Sequence, residues 1–189
     1  MEMFANQLEM KFVGMDCYCT AVEQGCMIET AKKMFEANIS LDEIIKKLQN
    51  IADSCETVLL CDDLDHMKRG GRLTPMAAAL GGLLKIKPIL HIGKSTNGKV
   101  DVLDKVRTMT RAQDRVIKHL KELNVDSSYT FIVAHVDALE AAKEYAQKIE
   151  NQIEGAKVKV KVIDLVSAVG IHTGLGCLAL QVFNEMKEQ

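Results

Sequence analysis

Three short apolar runs, TVLLC at 57–61, TFIVAHV at 130–136 and KVKVKVIDLV at 157–166, alternate with segments of helical period. This alternation restricts the chain to layered α/β folds. The first two runs are nearly continuous in apolar residues, as strands covered on both faces are. The third alternates lysine with valine and then turns apolar, as a strand does when it passes from an exposed edge to a covered position. Between the runs, helices declare themselves by period and cap. Ser40 followed by Glu43 makes a capping box ahead of Leu41, Ile44, Ile45, Leu48, Ile51 and Ala52, which share one face. Asp137 with Glu140 repeats the signature for a helix reaching Asn151, and Gly155 ends that unit. Helices are also predicted over 25–37, with Ile28, Ala31, Met34 and Phe35 as the apolar stripe, and over 110–123, with Val116, Ile117, Leu120 and Leu123 inward. PILHI and KVDVLDKV flank GKSTNG, whose Asn97-Gly98 pair favours the left-handed conformations of a hairpin turn. The change of pattern at Pro88 marks the predicted domain boundary, and CLALQVF at 177–183 reads as an apolar final helix.

Charge and composition remove whole classes of function. The 24 basic and 26 acidic residues nearly cancel, no long basic run occurs and there is no Trp to stack on a base, so no nucleic-acid surface is expected. No run approaches the roughly 20 apolar residues of a membrane helix. MEMFANQLEM lacks the charged and apolar regions of a signal peptide, so a cytoplasmic protein is expected. Cys26, Cys55, Cys61 and Cys177 lie in apolar or helical surroundings, where a reduced thiol behaves as a small hydrophobe. Cys17 and Cys19 form a C-x-C pair with no second Cys or His pair at zinc spacing, so no metal and no cofactor is assigned.

Two stretches carry candidate chemistry. In KRGGRLTPMAAALGGLLKIKPIL (68–90), Gly70 and Gly71 make a tight turn, Thr74 is a helix N-cap and Pro75 the first helical residue. Arg72 then stands beside a helix start, where a guanidinium suits a planar anion such as a carboxylate or phosphate. Met76, Leu80, Leu83 and Leu84 form the inward stripe, and the intervening Ala and Gly leave room for another backbone or a ligand's tail. A packed core helix with a surface arginine fits the same residues. The second stretch, GIHTGLG at 170–176, places His172 and Thr173 in a glycine-rich loop that is expected to follow a strand and open a helix. It has neither the G-K-[ST] ending of a phosphate loop nor a G-x-G-x-x-G fingerprint, so nucleotide binding is not supported; taken alone, the motif reads better as a capped helix start with an incidental histidine. His66, His91, His119 and His135 are taken as structural or solvated, and Asp62, Asp63 and Asp65 as a solvated, helix-capping loop.

Taken together, LCDDLDHMKRGGRLTPMAAALGGLLKIKPILHI, NGKVDVLDKVRT and the terminal GIHTGLGCLAL closely resemble the DegV family of bacterial fatty-acid-binding proteins, and FVGMDCYCTAVEQGCMIETAKKM resembles that family's aspartate-ended strand and following helix, with Asp16 and Gly25 at the matching positions. Leu175 stands where the family's H-T-G-P-G has proline, and Cys17 where it has Ser or Thr. The resemblance implies two α/β domains clasping a long-chain fatty acid. Residues 1–87 would be the remnant of a first domain with a truncated parallel-type sheet, lacking the family's N-terminal serine and threonine loops. Residues 88–189 would be a second domain with a mixed sheet and helices, its final helix packing back on the first. It further implies that Arg72, His172 and Thr173 receive the carboxylate and that Met76, Leu80 and Leu83 touch the acyl chain. The implied partner is a separate ATP-binding fatty acid kinase subunit that makes the acyl phosphate, so the chain itself would be a lipid carrier in phospholipid metabolism and not an enzyme. No membrane span is implied, though transient membrane contact is compatible with this role. The alternative expectation is a truncated structural or interaction remnant that needs a complementing chain and binds no lipid alone. An independent enzyme built on Arg72 and His172 is disfavoured because no nucleophile or metal set accompanies them.

Overall fold

In the computed structural model, which describes residues 2–79, 86–153 and 159–185, the apolar runs become strands of one six-stranded sheet. The elements are α1 (Glu2–Gln7), α2 (Val22–Glu36), α3 (Leu41–Ser54), β1 (Glu56–Leu60), α4 (Leu64–Arg69), α5 (Pro75–Ala78), β2 (Lys87–Gly93), a 3-10 turn (Lys94–Thr96), β3 (Asp101–Val106), α6 (Met109–Glu122), β4 (Thr130–His135), α7 (Leu139–Gln152), β5 (Val160–Asp164), α8 (Ser167–Thr173) and β6 (Leu178–Phe183). The spatial order is β3-β2-β1-β6-β4-β5. β4 and β5 are parallel, and every other pairing is antiparallel.

Successive side chains of a strand point to opposite faces, and this divides the core. Val58 and Leu60 of β1 pack under α6 and α7 with Val116, Ile117, Leu120, Tyr145 and Ile149. Leu59 and Cys61 join Met67, Ala77, Leu90, Ala134, Cys177 and Ala179 in a second cluster. A third places Met27, Ile51, Ala52 and Cys55 of α2, α3 and the start of β1 over Ile132 and Phe183. The helix starts follow local chemistry. Ser40 Oγ accepts from the Glu43 N–H at 3.3 Å while the Glu43 carboxylate accepts from the Ser40 N–H at 3.3 Å, closing the predicted capping box of α3. Asn97 (φ 54°) and Gly98 (φ 70°) take the left-handed conformations predicted for the β2–β3 hairpin.

Several expectations are corrected. CLALQVF is not a helix: it forms β6, buried at every position between β1 and β4. A short apolar run has no period to distinguish a doubly covered strand from a buried helix, and here two open strand edges decided it. Asp137 does not cap α7; it sits at φ 49°, and the N-cap is Ala138, whose N–H donates to His135 Nδ1 at 3.4 Å. On α2 the inward side is set by Glu23 and Met27, leaving Ile28 and Phe35 of the predicted stripe exposed. Among the described residues of 1–87 the expected parallel sheet is absent: that stretch supplies β1, antiparallel to both neighbours, β2 and β6. Pro88, the predicted boundary, lies inside β2, just past the residues that pair with β1, where its missing N–H breaks no bond to that strand. Among the described residues no helix is long and apolar enough to cross a membrane.

Candidate functional site

The arginine turn is pinned at both ends. Asp63 caps α4 by accepting from the His66 N–H at 2.8 Å, and the helix ends at Gly70. Gly71 then turns the chain at φ +66°, a conformation glycine adopts without strain. On the far side, Thr74 Oγ1 donates to Asp101 Oδ1 at 2.7 Å and accepts from the Ala77 N–H at 3.2 Å, so the predicted N-cap also ties the turn to β3. Arg72, between these anchors, is exposed, and its Nη1 donates to the Gly70 carbonyl at 3.0 Å. Lys68 and Arg69 occupy the last turn of α4 beside it, with Arg69 Nη2 3.9 Å from Asp63 Oδ2.

GIHTGLG lies otherwise than predicted. It spans the end of α8 and the loop into β6, so His172 and Thr173 close a helix instead of preceding one. Gly174 (φ +80°) and Gly176 (φ +77°) carry the reversal. The loop presses on α4: a methyl group at Gly174 would stand 3.3 Å from the His66 ring, and one at Gly70 would stand 3.5 Å from His172 Nδ1. Arg72 and His172 therefore converge on Gly70. Thr173 is buried and turns inward, its Oγ1 donating to the Gly170 carbonyl at 3.4 Å. Cys177 faces Cys61 with the sulfurs 3.4 Å apart, and the Cys61 hydrogen bond draws the Cys177 thiol down. Met76 is exposed on α5, while Leu80 and Leu83 lie outside the described residues.

Sequence reasoning passed over His66. Its Nε2 lies 2.7 Å from the Ile171 carbonyl, which accepts, so the ring carries its proton there and latches α4 to α8. No spacing rule joins residues 66 and 171; only the fold brings them together.

The family model described as "Uncharacterised protein, DegV family" matches residues 1–185. The chain belongs to the DegV family. It is 34% identical over 165 residues to the DegV domain-containing protein spr1415 of Streptococcus pneumoniae, covering 87% of this chain and 57% of the relative. It is likewise 34% identical over 173 residues to DegV domain-containing protein YqaC of Lactococcus lactis, covering 90% of this chain and 59% of that one. Among solved structures it is similar to the fatty acid binding DegV family protein SAG1342 of Streptococcus agalactiae, with TM-score 0.85, 26% identity and coverage of 97% of this chain and 64% of that one. It is also similar to DegV, a fatty acid binding protein from Bacillus subtilis, with TM-score 0.74, 26% identity and coverage of 93% and 61%. The chain thus spans about three fifths of the length of the DegV proteins it matches.

A second concavity of this DegV chain is apolar. It has a volume of roughly 390 Å³ and is lined by Met15, Cys17, Gln24, Met27, Ile28, Ala31 and Leu48, between α2, α3 and the segment before them. Small-molecule sites commonly occupy about 300–1,000 Å³.

Proposed function

We propose that the chain binds a long-chain fatty acid, with the carboxylate received by Arg72 and His172 and backed by Thr173, and presents it to a separate ATP-binding fatty acid kinase that forms the acyl phosphate. The observation that carries this reading is the convergence of Arg72 and His172 on Gly70 from stretches far apart in sequence. A guanidinium offers a carboxylate two parallel hydrogen bonds, and the adjacent imidazole adds a third donor when protonated. The likeness to two DegV proteins described as fatty acid binding, each 26% identical, supports the choice of a carboxylate over a phosphate. In this reading Met76, Leu80 and Leu83 touch the acyl chain, Met76 from an exposed position on α5. Arg72 and His172 bind and orient; phosphoryl transfer belongs to the partner. The setting is the cytoplasm, with transient access to a membrane surface.

The test is palmitate binding by the purified chain. Arg72→Ala should weaken binding roughly tenfold to hundredfold, the equivalent of the about 1.5–3 kcal/mol that hydrogen bonds to charged groups contribute. It should leave the fold intact, because the guanidinium is exposed and bonds only a neighbouring carbonyl. Unchanged affinity would remove Arg72 from the site. A wild-type chain that folds yet takes up no fatty acid would favour a module that needs a complementing segment. Acyl phosphate formed on adding a fatty acid kinase and ATP, and lost with Arg72→Ala, would support the partnership.

A further inference from the structure

Glu23 has one carboxylate oxygen held and one left over. The residue is fully buried where α2 meets the sheet. Its Oε2 accepts from Thr57 Oγ1 at 2.7 Å, Gln181 Nε2 at 3.2 Å and the Thr20 N–H at 3.5 Å. Oε1 is buried with no hydrogen-bond partner among the described residues. Gln181 is itself fixed by donating to the Thr20 carbonyl at 2.9 Å, so the donors that grip Oε2 also set the direction of Oε1. A buried, unpaired oxygen on a carboxylate this firmly oriented calls for a partner.

The neighbours are sulfur. A carboxylate oxygen of Glu23 and the Sγ atoms of Cys19 and Cys55 all lie within 4.8 Å of one another. Cys55 is held in place by its own thiol, which donates to the Ile51 carbonyl at 3.3 Å. Cys17, two residues ahead of Cys19, donates its thiol to the Cys19 carbonyl at 3.9 Å and accepts from Gln24 Nε2 at 3.5 Å. Thiolates combined with one carboxylate form a donor set for a tetrahedral divalent ion of the zinc class. Zinc bond lengths place ligand atoms roughly 3.3–3.8 Å apart, and the three donor atoms here lie within 4.8 Å of one another.

We propose that Cys19, Glu23 and Cys55 form a zinc site, its fourth position open to water or to the Cys17 thiol two residues from Cys19. The ion would tie together three parts of the chain: the segment ahead of α2, α2 itself and the junction of α3 with β1. The thiol protons, and any proton on Glu23, pass to solvent as the ion binds. The site uses none of Arg72, His172 or Thr173 and stands independently of the fatty-acid reading.

The test uses the full chain, reduced and stripped with a chelator, titrated with Co²⁺ and then Zn²⁺. One equivalent of Co²⁺ should bind with a thiolate-to-cobalt charge-transfer band in the near ultraviolet, and Zn²⁺ should displace it. Glu23→Gln keeps the size and the hydrogen bonds of the side chain and should weaken Zn²⁺ binding by at least the roughly 10–100-fold that follows loss of supporting contacts at zinc sites. Cys19→Ser, at a half-buried position outside the helices, should remove most of the band while circular dichroism stays unchanged. The proposal fails if no such band forms, or if both variants bind as the parent does. It also fails if binding is lost only with His91→Ala or His119→Ala, which would put the ion beside Glu56 instead.

Discussion

Glu56 gathers two imidazoles on a single oxygen: His91 Nδ1 and His119 Nε2 each lie 3.0 Å from its Oε1, with the rings edge to face. Burial works to raise the carboxyl's pKa, but the hydrogen bonds from His119 and His91 outweigh it and hold the group below the usual carboxylate range. A depressed folded-state pKa contributes stability above the unfolded value of about 4.3, and that contribution is lost as pH falls through the folded value. Glu56→Gln should therefore lower Tm clearly at neutral pH, with the gap from the parent closing below about pH 4. Thermal melts across pH decide this, and a constant gap would assign the loss to packing. None of this cluster was legible in the sequence. Both histidines read as structural or solvated, because β2, α6 and β1 meet only through tertiary pairing.

At the level of elements, α3 offers the clearest test. Its capping box is complete, and the helix buries Ile44, Ile51 and Ala52, so fraying at its start reaches the core. Ser40→Ala should cost about 1 kcal/mol, read as a lower urea midpoint with unchanged slope. An unmoved midpoint would mean that the packed face holds the helix without its cap. The elements legible in sequence were those whose signals are local, such as Ser40 with Glu43, Thr74 with Pro75, and Asn97 with Gly98. Those misread were decided from outside the segment: β6 by two waiting edges, the inward side of α2 by the polar contacts of Glu23. The site divides in the same way. Arg72 and His172 stood out as motifs, but their meeting at Gly70 and the His66 latch depend on α4 packing against α8. Cys19 was seen only as half of a C-x-C pair, because Glu23 and Cys55 reach it through the fold.

For the whole molecule, the sheet's two outer strands govern its behaviour in solution. β5 ends the sheet and pairs only with β4, and Lys161 projects from it into solvent with Lys159 just ahead. Lysine on an outer strand discourages edge-to-edge pairing. Replacing Lys159 and Lys161 together by Val should leave the monomer's fold unchanged while driving self-association at micromolar concentration, visible by size-exclusion chromatography with light scattering. A variant that stays monomeric would show that the edge is protected by other means. The opposite concern lies at the centre. β6 follows the other five strands in sequence yet sits between β1 and β4. While a ribosome is still making residues 178–183, the β1–β2–β3 and β4–β5 halves have nothing to join them, and each presents an open backbone edge. The sheet thus closes only once its sixth strand has been made, and until then both open edges are exposed to pairing with other chains.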